Sequence, residues 1–167
     1  MPCLSSRCQR PGNPAQVLAI LPNWDLDPPG HSSALVWTLT PQALDDGARH
    51  AALRAVLKLL EHWQCSEKEK MALLGVGRST LHKYQSQPDS ARVGNDLLER
   101  LSYLLNIHQA LHTLFGNREN VYGFVRMANH NPFFNGATPM DIMSNGRVAS
   151  LYEVHRQLDS LRGGQWG

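Results

Sequence analysis

The amino-acid sequence predicts a mostly α-helical fold, and three observations predict it. Apolar residues recur at the i, i+3, i+4 and i+7 spacing of a buried helix face in several separate stretches. Residues that favour helix starts, such as Thr-Pro pairs and a Ser-x-x-Glu box, precede helical stretches. Glycines that favour helix ends follow them. With 42% hydrophobic residues in a chain of 167, a packed core is expected and wholesale disorder is not.

The N-terminal segment differs in composition from the rest. The segment covers residues 1–39. Residues 1 to about 33 are rich in Pro, Gly, Ser and Asn, and among them only Val17 to Leu21 is apolar. Such a segment buries too little surface to offset its ordering entropy, so we expect a mobile arm without a role of its own. Its last apolar patch, Leu35 to Leu39, is compatible with a short strand or with docking on the next helix.

The first predicted helix starts at Thr40 and Pro41, because Thr is a good N-cap and Pro is tolerated at the first helical position. It carries an apolar stripe of Leu53, Val56, Leu57 and Leu60. A second, short helix follows the capping box from Ser66 to Glu69 and runs to about Leu74. Gly75 is a natural left-handed C-cap for it. A third helix is predicted over Ser79 to Gln85, with Pro88 ending it.

Three more helices are predicted in the second half of the chain. A long one covers Asn95 to Phe115 and stops at Gly116 and Asn117. Thr138 and Pro139 begin a short one, with Asp141 in the favourable first turn and Gly146 at its end. The last covers about Val148 to Leu161, and its apolar side is formed by Leu151, Val154, Leu158 and Leu161.

The two short helices between Ser66 and Gln85 resemble the helix-turn-helix of bacterial repressors. The resemblance lies in a turn glycine, Gly75, followed one, six and nine places later by apolar residues that would lock the second helix onto the first: Val76, Leu81 and Tyr84. The pattern usually has a small Ala where this chain has Met71. The candidate DNA-binding residues are the outward-facing polar ones that follow Gly77: Arg78, Ser79, Thr80, His82 and Lys83.

These residue types suit DNA recognition. Arg donates two hydrogen bonds to guanine in the major groove, while Ser and Thr bind phosphates. Seven Lys or Arg against four Asp or Glu between Arg54 and Arg92 give only a modest charge excess, so useful affinity requires a dimer or larger assembly. The alternative is a helical hairpin with a solvated polar face.

Ordered stretches of the remaining sequence resemble the Xre/MbcA/ParS antitoxin family, over residues 41 to 167. The first is the helix from Asp96 to Phe115. Further along come the following stretches: Asn131-Pro132-Phe133-Phe134, then Gly136 and Thr138-Pro139-Met140-Asp141, then Gly146-Arg147-Val148-Ala149-Ser150-Leu151-Tyr152-Glu153-Val154, Leu158-Asp159 and Arg162-Gly163-Gly164-Gln165-Trp166.

This resemblance implies a type II antitoxin. The family's partner is usually a RES-domain toxin, which consumes NAD. The antitoxin sequesters that toxin sterically through its C-terminal domain and represses its own operon through the helix-turn-helix. The resemblance also implies two domains: a helix-turn-helix domain over residues 40–115 and a small helical toxin-binding domain over residues 116–167. A homodimer within a larger toxin–antitoxin complex is expected, with no cofactor.

The side chains most able to anchor the toxin are Arg147, Tyr152, Arg156, Arg162 and Trp166. Trp, Tyr and Arg are common interface anchors because each buries a large area at small entropic cost. Trp166 lies beyond the break at Gly163 and Gly164, from which it cannot easily reach its own core. For Tyr152, ordinary packing is an open alternative.

Other classes of function are less favoured. His108 and His112 have metal-ligand spacing, but no third ligand lies at a helpful offset, so we expect a hydrogen-bonded core histidine at position 108. No nucleophile elbow, phosphate loop or Cys-His pair stands out, so neither a catalytic nor a metal site is predicted. The alternative function is a stand-alone repressor whose C-terminal half dimerises or senses a ligand.

Charge and cysteine content limit the cellular context. A net charge of +2 argues against a histone-like coat and an acidic tail. No apolar run approaches the roughly 20 residues that span a bilayer, and no signal-peptide pattern opens the chain. The odd set of Cys3, Cys8 and Cys65 forms no disulfide framework. We therefore expect the three cysteines to be free thiols and the protein to act in the reducing cytoplasm. We expect no membrane partner.

Overall fold

The computed structural model describes residues 45–162, and within this range the fold is helical with no strand. The mostly α prediction is therefore confirmed. The predicted N-terminal arm lies outside the described residues. The described helices, in chain order, are α1 (Asp46–His62), α2 (Glu67–Leu74), α3 (Arg78–Ser86), α4 (Asn95–Leu114), α5 (Arg118–Gly123), α6 (Pro139–Met143) and α7 (Val148–Arg162), with short 3₁₀ turns at Pro88–Ser90 and Phe124–Arg126.

Helix α4 is the centre of the described fold, because α1, α2, α5 and α7 all pack against it. Its contact with α7 is the most extensive between any two described elements. The predicted stripes meet here in a single core, to which α1 contributes Leu53, Val56 and Leu60, α4 contributes Leu101, Leu104 and Leu111, and α7 contributes Leu151, Val154 and Leu158. Burying each such side chain contributes about 1.5–3 kcal/mol, so these three helices hold the fold together.

The start of α1 differs from the prediction. Thr40 and Pro41 lie outside the described residues, and the helix that carries the Leu53 stripe begins at Asp46. Asp45 is its N-cap, and the Asp45 side chain accepts a hydrogen bond of 2.7 Å from the amide of Ala48. Asp is as good an N-cap as Thr, so the sequence offers two possible N-caps five residues apart, Thr40 and Asp45. The helix that carries the apolar stripe begins after Asp45, the nearer of the two.

The predicted signals around α2 and α6 are confirmed. Ser66 and Glu69 form a reciprocal capping box at the start of α2, and Thr138 and Asp141 form another at the start of α6. Helix α6 ends earlier than predicted, since Met143 is its last residue. Gly146, which has a φ of +83°, belongs to the loop that leads into α7.

Helix α5 and the 3₁₀ turn after it were missed. Asn117, which had been interpreted only as a stop signal for α4, is the N-cap of α5 and accepts a hydrogen bond of 2.8 Å from the amide of Asn120. Helix α5 has six residues, too few to show a repeated apolar stripe. Val121 and Val125 are nevertheless buried in the core.

Candidate nucleic-acid and protein interfaces

Helices α2 and α3 form a helix-turn-helix that packs on α4. Gly75 ends α2 with a φ of +67°, a conformation that favours glycine. A Cβ at this position would stand 2.7 Å from Nε of Arg100, so a larger residue would also make that guanidinium shift. Leu81 and Tyr84 are buried and Val76 packs against the core, as the pattern predicted. Met71 is half-buried in the same core, so the larger side chain fits there.

The predicted DNA-binding residues lie together on the outer side of α3. Arg78, Ser79, His82 and Lys83 are exposed, while Thr80 is half-buried. Gly77 is the N-cap of this helix, and no side chain caps it. The exposed side of α3 thus carries hydroxyl and cationic groups near a helix N-terminus, where free amides attract anions.

Arg78 is held by Glu67, the first residue of α2. The guanidinium donates from Nε to Oε1 at 2.7 Å and from Nη2 to Oε2 at 2.8 Å. Nε2 of His82 lies 3.6 Å from the same carboxylate. The hydrogen bond from Arg78 lowers the pKa of Glu67 and, reciprocally, the carboxylate raises the pKa of Arg78. The pair is exposed, so it orients the arginine more than it stabilises the fold.

The predicted toxin-binding residues are only partly described. Arg147, Tyr152 and Arg156 are exposed. Tyr152 is 48% exposed as a residue, and its ring meets that of Tyr103 of α4 edge-on, with 6.0 Å between the centroids. Tyr152 therefore packs on α4 and remains accessible to a partner. Tyr152 and Arg156 are one helical turn apart and share a side of α7. Arg162 ends α7, its side chain is outside the description, and Trp166 lies beyond the described residues.

Two arginines that the sequence analysis missed connect the helix-turn-helix to the rest of the chain. Arg126 donates from Nε to the carbonyl oxygen of Trp63 at 3.0 Å and from Nη1 to Oε1 of Glu69 at 2.7 Å. Arg100 donates to the carbonyl oxygen of Ala72 at 3.4 Å and to that of Gly146 at 2.9 Å. Their partners lie far away in the sequence, so no local pattern could have found them.

The histidine pair discarded as a metal site belongs to an aromatic cluster. His108 is buried, as predicted, and its ring lies 4.6 Å from that of His112 and 5.3 Å from that of Tyr122, measured between centroids. Burial, with smaller effects of His112 and His62, lowers the pKa of His108 to about 3. Across residues 45–162, no group of three or more His, Cys, Asp or Glu is arranged to hold a metal ion.

The state of Cys65 and the character of the described helices bear on the predicted cellular location. Cys65 is a buried free thiol, and burial raises its pKa to about 11. Cys3 and Cys8 lie outside the described residues. Of the helices described here, none combines the length and the apolar character needed to cross a lipid bilayer.

Comparison with known proteins agrees with this architecture. Residues 43–106 match the antitoxin Xre-like helix-turn-helix domain, and residues 110–164 match the antitoxin Xre/MbcA/ParS C-terminal toxin-binding domain. The chain is also similar to the uncharacterized protein y4oB of Sinorhizobium fredii, with 38% identity over 121 residues that cover 71% of this chain and 91% of the relative. The first match ends and the second begins inside α4, the helix against which both α2 and α7 pack.

Proposed function

The chain belongs to the Xre/MbcA/ParS family of type II antitoxins, and from that premise we propose that it neutralises a RES-domain toxin and represses its own operon. The observation that carries this proposal is the succession of a helix-turn-helix and a toxin-binding domain in one chain. We assign operator binding to residues 40–115 and toxin binding to residues 116–167.

Operator binding is supported by the exposed polar side of α3. We assign phosphate contacts to Ser79 and Thr80, a base contact to Arg78, and further contacts along the helix to His82 and the positively charged Lys83. The chain has a net charge of only +2, so one copy gains little from counterion release. We therefore propose that a homodimer, within a larger complex with the toxin, places two such helices on the DNA.

Toxin binding is supported by the exposed anchors on and before α7. Tyr152 and Arg156 present a large ring and a guanidinium on one side of a helix that is itself fixed on α4. With Arg147, Arg162 and Trp166 they would cover the opening of the toxin's active site. Such a mechanism is steric, so the antitoxin itself needs no catalytic residue and no cofactor, and it acts in the cytoplasm with the toxin.

The direct test is co-expression with the protein encoded by the adjacent gene. We expect that protein alone to stop growth and deplete cellular NAD, and this chain to restore both and to co-purify with it. The same complex should shift a duplex that carries the operon's promoter. A partner that stops growth without depleting NAD would overturn the RES assignment, and a failure to co-purify would overturn toxin binding. Promoter binding without any bound partner would favour the stand-alone repressor.

A further inference from the structure

Arg78 occupies a position that helix stability does not explain. It is the first residue of α3, where the helix dipole disfavours a positive side chain, and the first turn of α3 contains no acidic residue. Its side chain is also 72% exposed, so packing does not account for it either. The compensating negative charge comes from Glu67, the first residue of α2, a position where a carboxylate is favoured.

The Arg78–Glu67 pair occupies only one edge of the guanidinium, so the remaining N–H groups of Arg78 do not bond to the carboxylate. A guanidinium has five N–H groups, and the two hydrogen bonds to Glu67 use the one on Nε and one on Nη2. The second hydrogen on Nη2 and one of the two on Nη1 are directed to the end of the side chain, whereas the other hydrogen on Nη1 points back towards Cδ. That end presents two parallel donors, which is the arrangement that pairs with O6 and N7 of guanine.

We infer that Glu67 is a positioning residue, which holds Arg78 for a bidentate contact with one guanine of the DNA site. The inference rests on the proposed operator binding and concerns how the sequence of that operator is recognised. Without Glu67, the flexible arginine at an exposed helix end would bind any nearby phosphate as readily as a base. With Glu67, the plane of the guanidinium is fixed before the DNA arrives, and less rotamer freedom is lost on binding.

A carboxylate on this side of the domain has opposite effects on affinity and on specificity. It repels phosphates, so it weakens binding to DNA of any sequence. A surface ion pair adds little to folding, so stability does not offset that cost. The gain lies in discrimination between sequences, which combines an attractive contact to the correct base with repulsion from incorrect sites.

The test compares promoter DNA with a random duplex of the same length, by fluorescence anisotropy on the purified full-length protein. Glu67→Gln should weaken promoter binding while random-duplex binding stays equal or rises. The ratio of the two affinities should fall about 5- to 150-fold, the discrimination expected of one bidentate base contact. Arg78→Lys keeps the charge and should cause the same fall, and the double variant should fall no further. Glu61→Gln removes an exposed carboxylate of α1 and should leave the ratio unchanged.

Substitution of single base pairs then identifies the guanine. The wild-type protein should lose affinity at one G·C pair in each half-site, a pair that Glu67→Gln no longer distinguishes from A·T. If the wild-type protein prefers its promoter but Glu67→Gln strengthens binding to both duplexes equally, Glu67 is only a surface charge and the inference is wrong. If the wild-type protein has no preference for its promoter, the proposed operator binding fails, and the role of Glu67 fails with it.

Discussion

Arg126 and Glu69 join the segment after α5 to the first turn of the helix-turn-helix through hydrogen bonds of 2.7 and 3.0 Å. The same carboxylate accepts a hydrogen bond of 2.7 Å from the amide of Ser66 and so closes the capping box of α2. Hydrogen bonding from Arg126 is the main cause that lowers the pKa of Glu69 to about 2. The start of the helix-turn-helix is thus fixed by a residue of the segment that matches the toxin-binding domain.

Replacing Arg126 should therefore destabilise the protein although the residue lies near the surface. Arg126→Ala leaves the carbonyl oxygens of Trp63 and Gln64 and the carboxylate of Glu69 without this donor. We expect the free energy of unfolding to fall by about 1–3 kcal/mol, the usual effect of removing one partner of part-buried charged hydrogen bonds. Urea titration followed by circular dichroism measures it. Lys68→Ala, at an exposed position of α2, is the control. An equal effect of the two variants would contradict the prediction.

Gly75 should tolerate substitution far less well than its near neighbour Gly77. Gly75→Ala places a Cβ at a φ of +67° and 2.7 Å from Arg100, so both backbone strain and a shift of Arg100 are expected. We expect a loss of about 1–3 kcal/mol in the free energy of unfolding. At Gly77 a Cβ meets nothing within 4 Å, so Gly77→Ala should cost less, at most about 1 kcal/mol, because Ala is a poorer N-cap for α3 than Gly. Thermal melting of both variants decides the matter.

The features that the sequence predicted are those set by neighbouring residues. The capping box of α2, the helix start at Thr138, the left-handed Gly75 and the apolar stripes of α1, α4 and α7 each depend on positions within two helical turns of one another. The exposed side of α3 follows from the same periodicity, because the positions of Leu81 and Tyr84 determine which residues point outward.

The features that it did not predict depend on residues far apart in the chain. Arg126 bonds to Trp63, 63 positions earlier, and Arg100 bonds to Gly146, 46 positions later. Glu67 and Arg78 are only 11 positions apart, but they meet because of how α2 and α3 cross. Such contacts are set by tertiary packing, which a single sequence does not reveal.

Folding stability should fall as the pH is lowered below neutrality, because of His108. Burial keeps this ring neutral in the folded protein, with a pKa of about 3, whereas in the unfolded chain it titrates near its ordinary value. The unfolded state then binds more protons at pH 6.5 to 3, so stability is complete above this range and decreases within it. The slope is up to about 1.4 kcal/mol per pH unit for one proton. The pKa of His112 is also lowered, which adds to the same trend.

Urea titrations between pH 7.5 and 5 test this dependence on acid. The range lies above the ordinary pKa of Glu69, whose lowered value affects stability only in stronger acid. His108→Gln should make the free energy of unfolding less dependent on pH, with the remainder due largely to His112. Gln109→Asn changes an exposed side chain of the same helix that does not titrate, and it should keep the wild-type slope. A His108→Gln protein with the full slope would show that another group is responsible.

Operator binding and toxin binding should be separable by mutation, because α3 and α7 expose different side chains. Lys83→Ala should weaken promoter binding and reduce the slope of log affinity against log salt by about 1 if Lys83 contacts one phosphate.

Tyr152→Ala and Arg156→Ala should each weaken toxin binding by about tenfold, the effect of losing an interface anchor of more than 1 kcal/mol. Trp166→Ala should reduce the rescue of growth. Each group of variants should leave the other activity unchanged, because Lys83, Tyr152 and Arg156 are exposed and lie on different helices. If both activities fall together in variants with a normal melting temperature, DNA and toxin bind the same surface and the prediction of separate surfaces is wrong.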